Sequence, residues 1–207
     1  MRFPPFVAVA IVAPALLAAA APPVALSPDL ASVQAHLRAV QTMTADFAQT
    51  DRNGRTLTGT LQLKKPGKVR FQYQQGVPLL VVGDGKALTM IDYSVKQVSR
   101  WPIGSTPLAL LIDPDKDIGR VAKTIPSGSP GLILVAAQDP KHREYGSITV
   151  AFRRQGGAPG GLLLDGWTVL DAQNNRTTVR LTDQKFNVPI DDSAFRWTDP
   201  RRQGPRQ

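Results

Sequence analysis

The chain of 207 residues has no cysteine. Disulfide staples, thiolate metal sites and a cysteine nucleophile are therefore excluded together. Histidine is nearly as scarce: His36 and His142 are too few for most zinc or iron ligand sets. Acidic side chains are in deficit, 16 against 25 basic ones, which sets a formal charge of +9. Such a balance suits nucleic acid, an anionic membrane surface or an acidic partner. Hydrophobic residues nonetheless make up 42% of the chain, enough to bury a core and to exclude a disordered protein.

The longest apolar run lies at the start. Arg2 is followed by uncharged residues from Phe6 to about Ala21, ending in Ala18-Ala19-Ala20-Ala21. A charged start, a short apolar stretch and a small-residue exit make residues 1–20 a secretory signal peptide, cut near Ala20. A membrane anchor would need about 20 good helix formers, whereas this run holds Pro14 and meets Pro22-Pro23. Losing Arg2 takes the 25 basic side chains to 24 against 16 acidic ones, so the remainder stays basic at +8. Export removes genomic nucleic acid from the list of partners. Without cysteine in an oxidising compartment, stability must come from packing.

Residues 21–199 read as one domain and 200–207 as a mobile basic tail. Ser27-Pro28-Asp29 is a helix start, with a capping hydroxyl, a proline at the first turn and an acid at the positive end. Leu30, Val33, Leu37, Val40 and Met43 then form one stripe, predicting an amphipathic helix over 28–42 with His36 as a partly exposed side chain.

The period next falls to two. Leu57, Gly59, Leu61 and Leu63 alternate with polar residues, and an Asn53-Gly54 turn joins them to a strand carrying Phe47 and Gln49. Val69, Phe71 and Tyr73 follow a Pro66-Gly67 turn, with Lys64, Lys65, Lys68 and Arg70 as the wet side of the sheet. Leu79 to Val82, Leu88 with Met90, and Val95 with Val98 give three more strands. Thr106 to Ile112 reads as a short capped helix, apolar nearly all round, stopped by Asp113-Pro114. Strands resume at Leu132 to Ala137, at Ile148 to Phe152, and, after a loose loop from Gln155 to Gly161, at Leu162 to Leu170. Val179 with Leu181 and a last strand with Phe195 and Trp197 complete the set. About ten short strands, most apolar on one face only, predict a mainly β protein with an α lid. Its single curved antiparallel sheet would be partly covered by two or three helices.

Catalytic chemistry is not apparent. Ser127-Gly128-Ser129-Pro130-Gly131 lacks the first glycine of a nucleophile elbow. Asp113, Asp115 and Asp117 beside Pro114 read as turn residues, with a weak calcium loop as the alternative, and Asp191-Asp192 as a solvated turn. No catalytic residue, metal or cofactor is assigned, and no nucleic-acid face, because the bases and aromatics of 68–71 alternate onto opposite sides of a strand.

One ordered set of segments carries more. Phe47-Ala48-Gln49-Thr50, Gly54, Gly59-Thr60-Leu61 and Lys65-Pro66-Gly67-Lys68-Val69-Arg70-Phe71-Gln72-Tyr73 resemble the opening of the LolA family of periplasmic lipoprotein carriers. Val82 to Leu88, Tyr93 to Val98, Thr106 to Leu111, Trp167 to Gln173, Thr177 to Leu181 and Phe195 are similar to later segments of that family, in order. The resemblance implies an unclosed β-barrel with a helical lid. It implies a carrier, likewise without catalytic residues, whose apolar concave face takes lipoprotein acyl chains from the inner to the outer membrane. The implied partners are acylated lipoproteins, an inner-membrane ATP-binding-cassette exporter and, where one exists, an outer-membrane receptor, with the carrier itself a monomer. In the family a basic residue before a proline latches the lid. Lys65 stands there in place of arginine and keeps the charge without the planar fork of donors, which implies a looser latch. Val69 replaces a larger side chain. The expected cavity lining is Leu37, Leu61, Leu63, Phe71, Leu88, Met90, Leu108 and Leu111. The alternatives are a lipid- or lipoprotein-sensing module of the same fold, or a carrier of another lipid.

Overall fold

The computed structural model describes residues 26–106, 108–113, 118–138 and 146–201. The expected leader, Asp115 and Asp117, His142 and the end of the tail lie outside them. Helix α1 (Pro28–Ala39) opens the fold. Strands β1 (Thr42–Thr50), β2 (Thr56–Lys64), β3 (Lys68–Tyr73), β4 (Leu79–Asp84), β5 (Ala87–Asp92) and β6 (Gln97–Pro102) follow. A crossing segment holds two one-turn helices, α2 (Ala109–Ile112) and α3 (Ile118–Val121). Strands β7 (Ala122–Ile125), β8 (Leu132–Gln138), β9 (Ser147–Arg154), β10 (Leu162–Leu170) and β11 (Arg176–Phe186) complete the sheet.

The strands form one antiparallel sheet in the order β6-β5-β4-β3-β2-β1-β11-β10-β9-β8-β7, open between β6 and β7. β3 and β10 are four strand intervals apart, about 19 Å if the sheet were flat. The Phe71 and Trp167 rings are nevertheless 6.1 Å apart, edge to face. The sheet therefore curls over the face that carries them. That concave face holds the main core: Met43 and Phe47 of β1, Leu61 and Leu63 of β2, Val69, Phe71 and Tyr73 of β3, and Val150 and Phe152 of β9, with α1, α2 and Ile118 of α3 packed on it.

Local chemistry explains the start of α1. The Ser27 hydroxyl accepts from the Leu30 N–H at 3.3 Å, and Asp29 pairs with Arg154 at 2.5 Å. The helix stops at Ala39, three residues short of the sequence expectation. Val40 is extended (φ −87°, ψ 104°), and Met43 already belongs to β1. Both are buried all the same, because helix stripe and strand face meet the same core. The β1–β2 connection is a five-residue loop, Asp51 to Arg55, and not a two-residue turn. Gly54 takes φ 80°, while Asp51 Oδ1 accepts from the Asn53 and Arg55 N–H groups.

Three expectations fail more plainly. Phe195 and Trp197 do not lie on a strand: Asp192–Phe195 is a 3-10 turn within a C-terminal strap. The strap crosses the convex face, where Phe195 covers Leu80, Val82 and Ile91 as a second core. The basic residues of β2 and β3 are consequently not simply wet. Lys64 and Lys68 bind Asp192 at 2.7 and 2.8 Å, which holds that carboxyl down at about 2. Arg70 donates to the Ala194 and Arg196 carbonyls. Asp191 stays exposed and caps the 3-10 turn by accepting from the Ser193 N–H.

The loop 155–161 is not loose. Gly160 (φ 63°) lies so close to α1 that a Cβ there would sit 2.6 Å from the His36 nitrogen. His36, read from sequence as partly exposed, is 2% exposed. Its Nδ1–H donates to the Pro159 carbonyl at 2.7 Å, and its ring meets Phe152 and Phe186 edge to face. Burial lowers its pKa. Finally, α2 is shorter than the predicted helix and starts without a side-chain cap, since the Thr106 hydroxyl donates to Ile103 instead.

Candidate functional site: the concave face and its lid

Strand register sorts the residues into rows, because directly paired residues share a face. One row runs Leu61, Phe71, Val81, Met90 and Ser99 from β2 to β6. The next runs Leu63, Val69, Gly83, Leu88 and Trp101. Both rows lie on the concave side. Exposure along the first rises from 2% at Leu61 and 5% at Phe71, through half-buried Val81, to 37% at Met90. In the second it rises from 5% at Leu63 to 43% at Trp101. The apolar inner surface is thus roofed in its middle and uncovered toward the β6 edge.

Of the residues named from sequence, Leu37, Leu61, Leu63, Phe71, Leu88 and Leu111 sit in the main core, with Leu108 partly buried against it. Met90 has the same facing but is exposed rather than enclosed, since no described helix lies over its end of the row. Sequence reading missed Val81, Leu79 and Trp101, which lie on the same face. Their signal was available in the alternation of β4 and β6, once register with β5 is known. Phe47, Phe71, Tyr73 and Trp167 fill the centre. Phe47 meets Phe71 at 5.4 Å and Tyr73 at 5.2 Å, and the Tyr73 hydroxyl donates to Gln49 at 2.8 Å. Burial raises the Tyr73 pKa, so this oxygen is a neutral donor.

The roof is tied to the sheet at the β2–β3 turn. Lys65 Nζ donates to the Leu37 carbonyl in the last turn of α1, and the Lys65 N–H donates to Gln41 at 2.9 Å. Gly67 N–H donates to the Ile112 carbonyl, the last of α2, at 2.9 Å. Helix ends leave such carbonyls without intrahelical partners, and a cation suits the negative end of a helix. The turn can reach both helices because it lies almost against the β4–β5 turn. A Cβ on Gly83 would meet the Gly67 oxygen at 2.8 Å, and one on Gly67 would meet the Gly85 Cα at 2.7 Å. Burial lowers the Lys65 amine to about 8.

The two helices are held differently. Asp29, His36, the backbone at Gly160 and Asn187 fasten α1. Asn187 donates to Ala39 at 3.0 Å and accepts from the Gln41 N–H at 2.8 Å. The four residues of α2 are Ala109, Leu110, Leu111 and Ile112, all buried, so this helix docks by apolar contact and the Gly67 bond. Apolar contact is non-directional, and a greasy guest can replace it.

An open antiparallel half-barrel with an apolar inner face and a helical roof agrees with what the chain is similar to. The family model described as outer membrane lipoprotein carrier protein LolA matches residues 38–198. The chain belongs to the LolA family. An outer-membrane lipoprotein carrier protein from Chromobacterium violaceum is 30% identical over 201 residues, 91% of this chain and 94% of that protein. One from Dechloromonas aromatica is 29% identical, covering 79% and 80%. Among solved structures, a DUF1329 family protein from Desulfovibrio piger has a TM-score of 0.50 at 13% identity, covering 81% of this chain and 95% of that one, which bears on fold alone. A LolA superfamily protein from Nitrosomonas europaea has a TM-score of 0.48 at 9% identity, with 82% and 97% covered. Membership gives a lipoprotein-carrier role, in a family whose task is transport. No helix among the described residues is long and apolar enough to cross a membrane.

Proposed function

We propose that this LolA-family protein is a periplasmic carrier, exported by the leader at residues 1–20. It would take lipoproteins from an inner-membrane exporter to the outer membrane as a monomer, with their acyl chains on the concave face. One observation carries the reading: the apolar row Leu61, Phe71, Val81, Met90 passes without a polar break from full burial to open surface. A guest chain entering over Met90 and Val81 would displace α2 and then lie along Phe71, Leu61, Leu63, Leu88 and Leu111, with Leu37 and Leu108 at its sides.

Energetics support this division of labour. Each buried CH₂ is worth about 0.8 kcal/mol, so a sixteen-carbon chain costs roughly 12 kcal/mol to expose. A carrier must offset most of that, yet release its load without a nucleotide. A roof held by apolar contact opens at the cost of contacts that the guest replaces. Lys65 and Gly67 act as the latch that returns the roof to its place.

The test is native mass spectrometry after detergent-free incubation with a triacylated lipoprotein, combined with a photo-crosslinker at Val81, Met90 or Thr60. A stoichiometric complex crosslinked from Val81 and Met90, but not from Thr60 on the convex side, is expected. Absence of a complex, or capture mainly from Thr60, would remove the proposal.

A further inference from the structure

Among the described residues, the exposed large apolar side chains are Met90, Tyr93, Val95 and Trp101. All four belong to one hairpin, β5–β6, which forms an edge of the open sheet. Met90 and Trp101 are diagonal neighbours on its concave side, since Met90 pairs with Ser99 and Leu88 with Trp101. Tyr93 and Val95 stand at its tip, Val95 being 66% exposed. On the other side of the hairpin the apolar residues are covered, with Ile91 at 0% exposure and Val98 packed beside it under the C-terminal strap. The apolar side chains that remain bare on the hairpin are therefore those of its concave side and its tip.

From Asp84 to Pro102 the hairpin carries three basic side chains, Lys86, Lys96 and Arg100, against two acidic ones, Asp84 and Asp92. Asp92 accepts from the Ser94 hydroxyl at 2.5 Å and the Ser94 N–H at 2.9 Å, bonds that lower its pKa and keep it an anion. Asp84 is occupied by Arg100 at 2.6 Å and by the Lys86 and Ala87 N–H groups, each at 2.8 Å. Lys86 at one end and Lys96 at the other have no acidic partner among the described residues. The strip between them is about 20 Å long. Tryptophan and tyrosine are the side chains that settle at lipid headgroup level, and lysine beside them gains energy near an anionic leaflet. Without the leader the protein has a formal charge of +8 (24 basic against 16 acidic side chains) and is drawn to the same surface.

We infer that the β5–β6 hairpin is a docking surface for an anionic phospholipid bilayer, which Trp101, Met90, Tyr93 and Val95 enter while Lys86 and Lys96 contact headgroups. This assignment goes beyond cargo carriage and stands whether or not the concave face takes acyl chains. It also gives that face an orientation, because the row through Phe71 and Val81 opens toward the bilayer. An unpaired edge strand can instead recruit a second strand. Here the edge ends at Pro102, which has no N–H to donate, and the aromatic and cationic pattern matches lipid better than a strand partner.

The test uses the mature full-length chain, without lipoprotein, on vesicles of phosphatidylethanolamine and phosphatidylglycerol, and on phosphatidylcholine vesicles. Cosedimentation with the anionic vesicles is expected, at least tenfold stronger than with phosphatidylcholine and suppressed by 0.5 M salt, which shortens the screening length well below its value of about 10 Å at 0.1 M. The double variant Lys86→Glu, Lys96→Glu should lose about tenfold or more, whereas Arg180→Glu, Lys185→Glu on the convex side should not. Brominated lipid should quench tryptophan emission in the natural chain and much less in Trp101→Phe, because Trp167 is buried and Trp197 lies on the far side of the sheet. No vesicle binding, equal loss in the two charge variants, quenching unaffected by Trp101→Phe, or a dimer in sedimentation that Trp101→Phe dissolves would each overturn the assignment. Failure here with an intact lipoprotein complex would leave the carrier reading standing.

Discussion

Replacing Lys65 with methionine keeps the apolar stem and deletes the ammonium that reaches Leu37. Two opposing quantities set the outcome. Burial lowers the amine from 10.5 to about 8, which corresponds to about 3 kcal/mol for keeping it charged at neutral pH. Residual solvent around a half-buried side chain trims that to about 2 kcal/mol. The charge-assisted hydrogen bond to the helix end returns about 1.5–3 kcal/mol. The two nearly cancel, so Lys65→Met should change stability at pH 7 by less than about 1 kcal/mol. On the carrier function proposed above, a latch of near-zero net strength is what cheap opening requires.

The pH response separates the two proteins. Between pH 8 and 10.5 the unfolded chain keeps a proton that folded Lys65 has shed, so this residue makes stability rise with pH in that window. From pH 7 to 9.5 the natural chain should gain about 1–2 kcal/mol relative to Lys65→Met, after screening. Urea unfolding of both proteins at the two pH values reads the difference directly. Parallel responses, or a relative loss by the natural chain, would refute the claim that a desolvated amine holds the roof.

His36 acts with the same sign at the acid end of the pH range. Buried and neutral, it binds protons less readily than in the unfolded chain, so stability should fall as pH drops below about 6.5. His36→Leu should flatten that acid limb in thermal midpoints between pH 5 and 7.5, while costing about 1–2 kcal/mol at pH 7 for the Pro159 carbonyl left without its donor; an unchanged acid limb would count against it. Phe195→Ala should cost about 3–5 kcal/mol if the strap stays docked, and less if it detaches. Detachment would red-shift Trp197 emission and speed cleavage after Arg196, with hydrogen exchange in α1 unchanged. Unaltered emission together with unaltered stability would show that the second core is not structural.

Much of the architecture was legible because it rests on period and local chemistry. The alternation through Leu57 to Leu63 and Val69 to Tyr73 identifies β2 and β3, and Ser27-Pro28-Asp29 marks the start of α1 whatever lies above it. Lys65 could be singled out by resemblance, although the Leu37 carbonyl that it bonds could not. Burial of His36 depends on Pro159, 123 residues away, and no spacing within α1 encodes it. Phe195 and Trp197 look like a strand by composition. They form a strap because Lys64, Lys68 and Arg70 of other strands offer donors to Asp192 and to the strap carbonyls.

Read alone, the amino-acid order determined which side chains are apolar, where the chain turns and that one face of each strand is greasy, since these follow from dihedral preference and two-residue alternation. Tertiary structure decided how much of that greasy face is covered. Curling of the sheet brings Phe71 to Trp167 and the helices roof the centre, while the strap covers Ile91 and Val98 on the convex side of β5–β6, and Met90 and Trp101 stay bare. Coverage depends on contacts between segments distant in sequence, and the closure of those contacts is a property of the whole fold and not of any window along it.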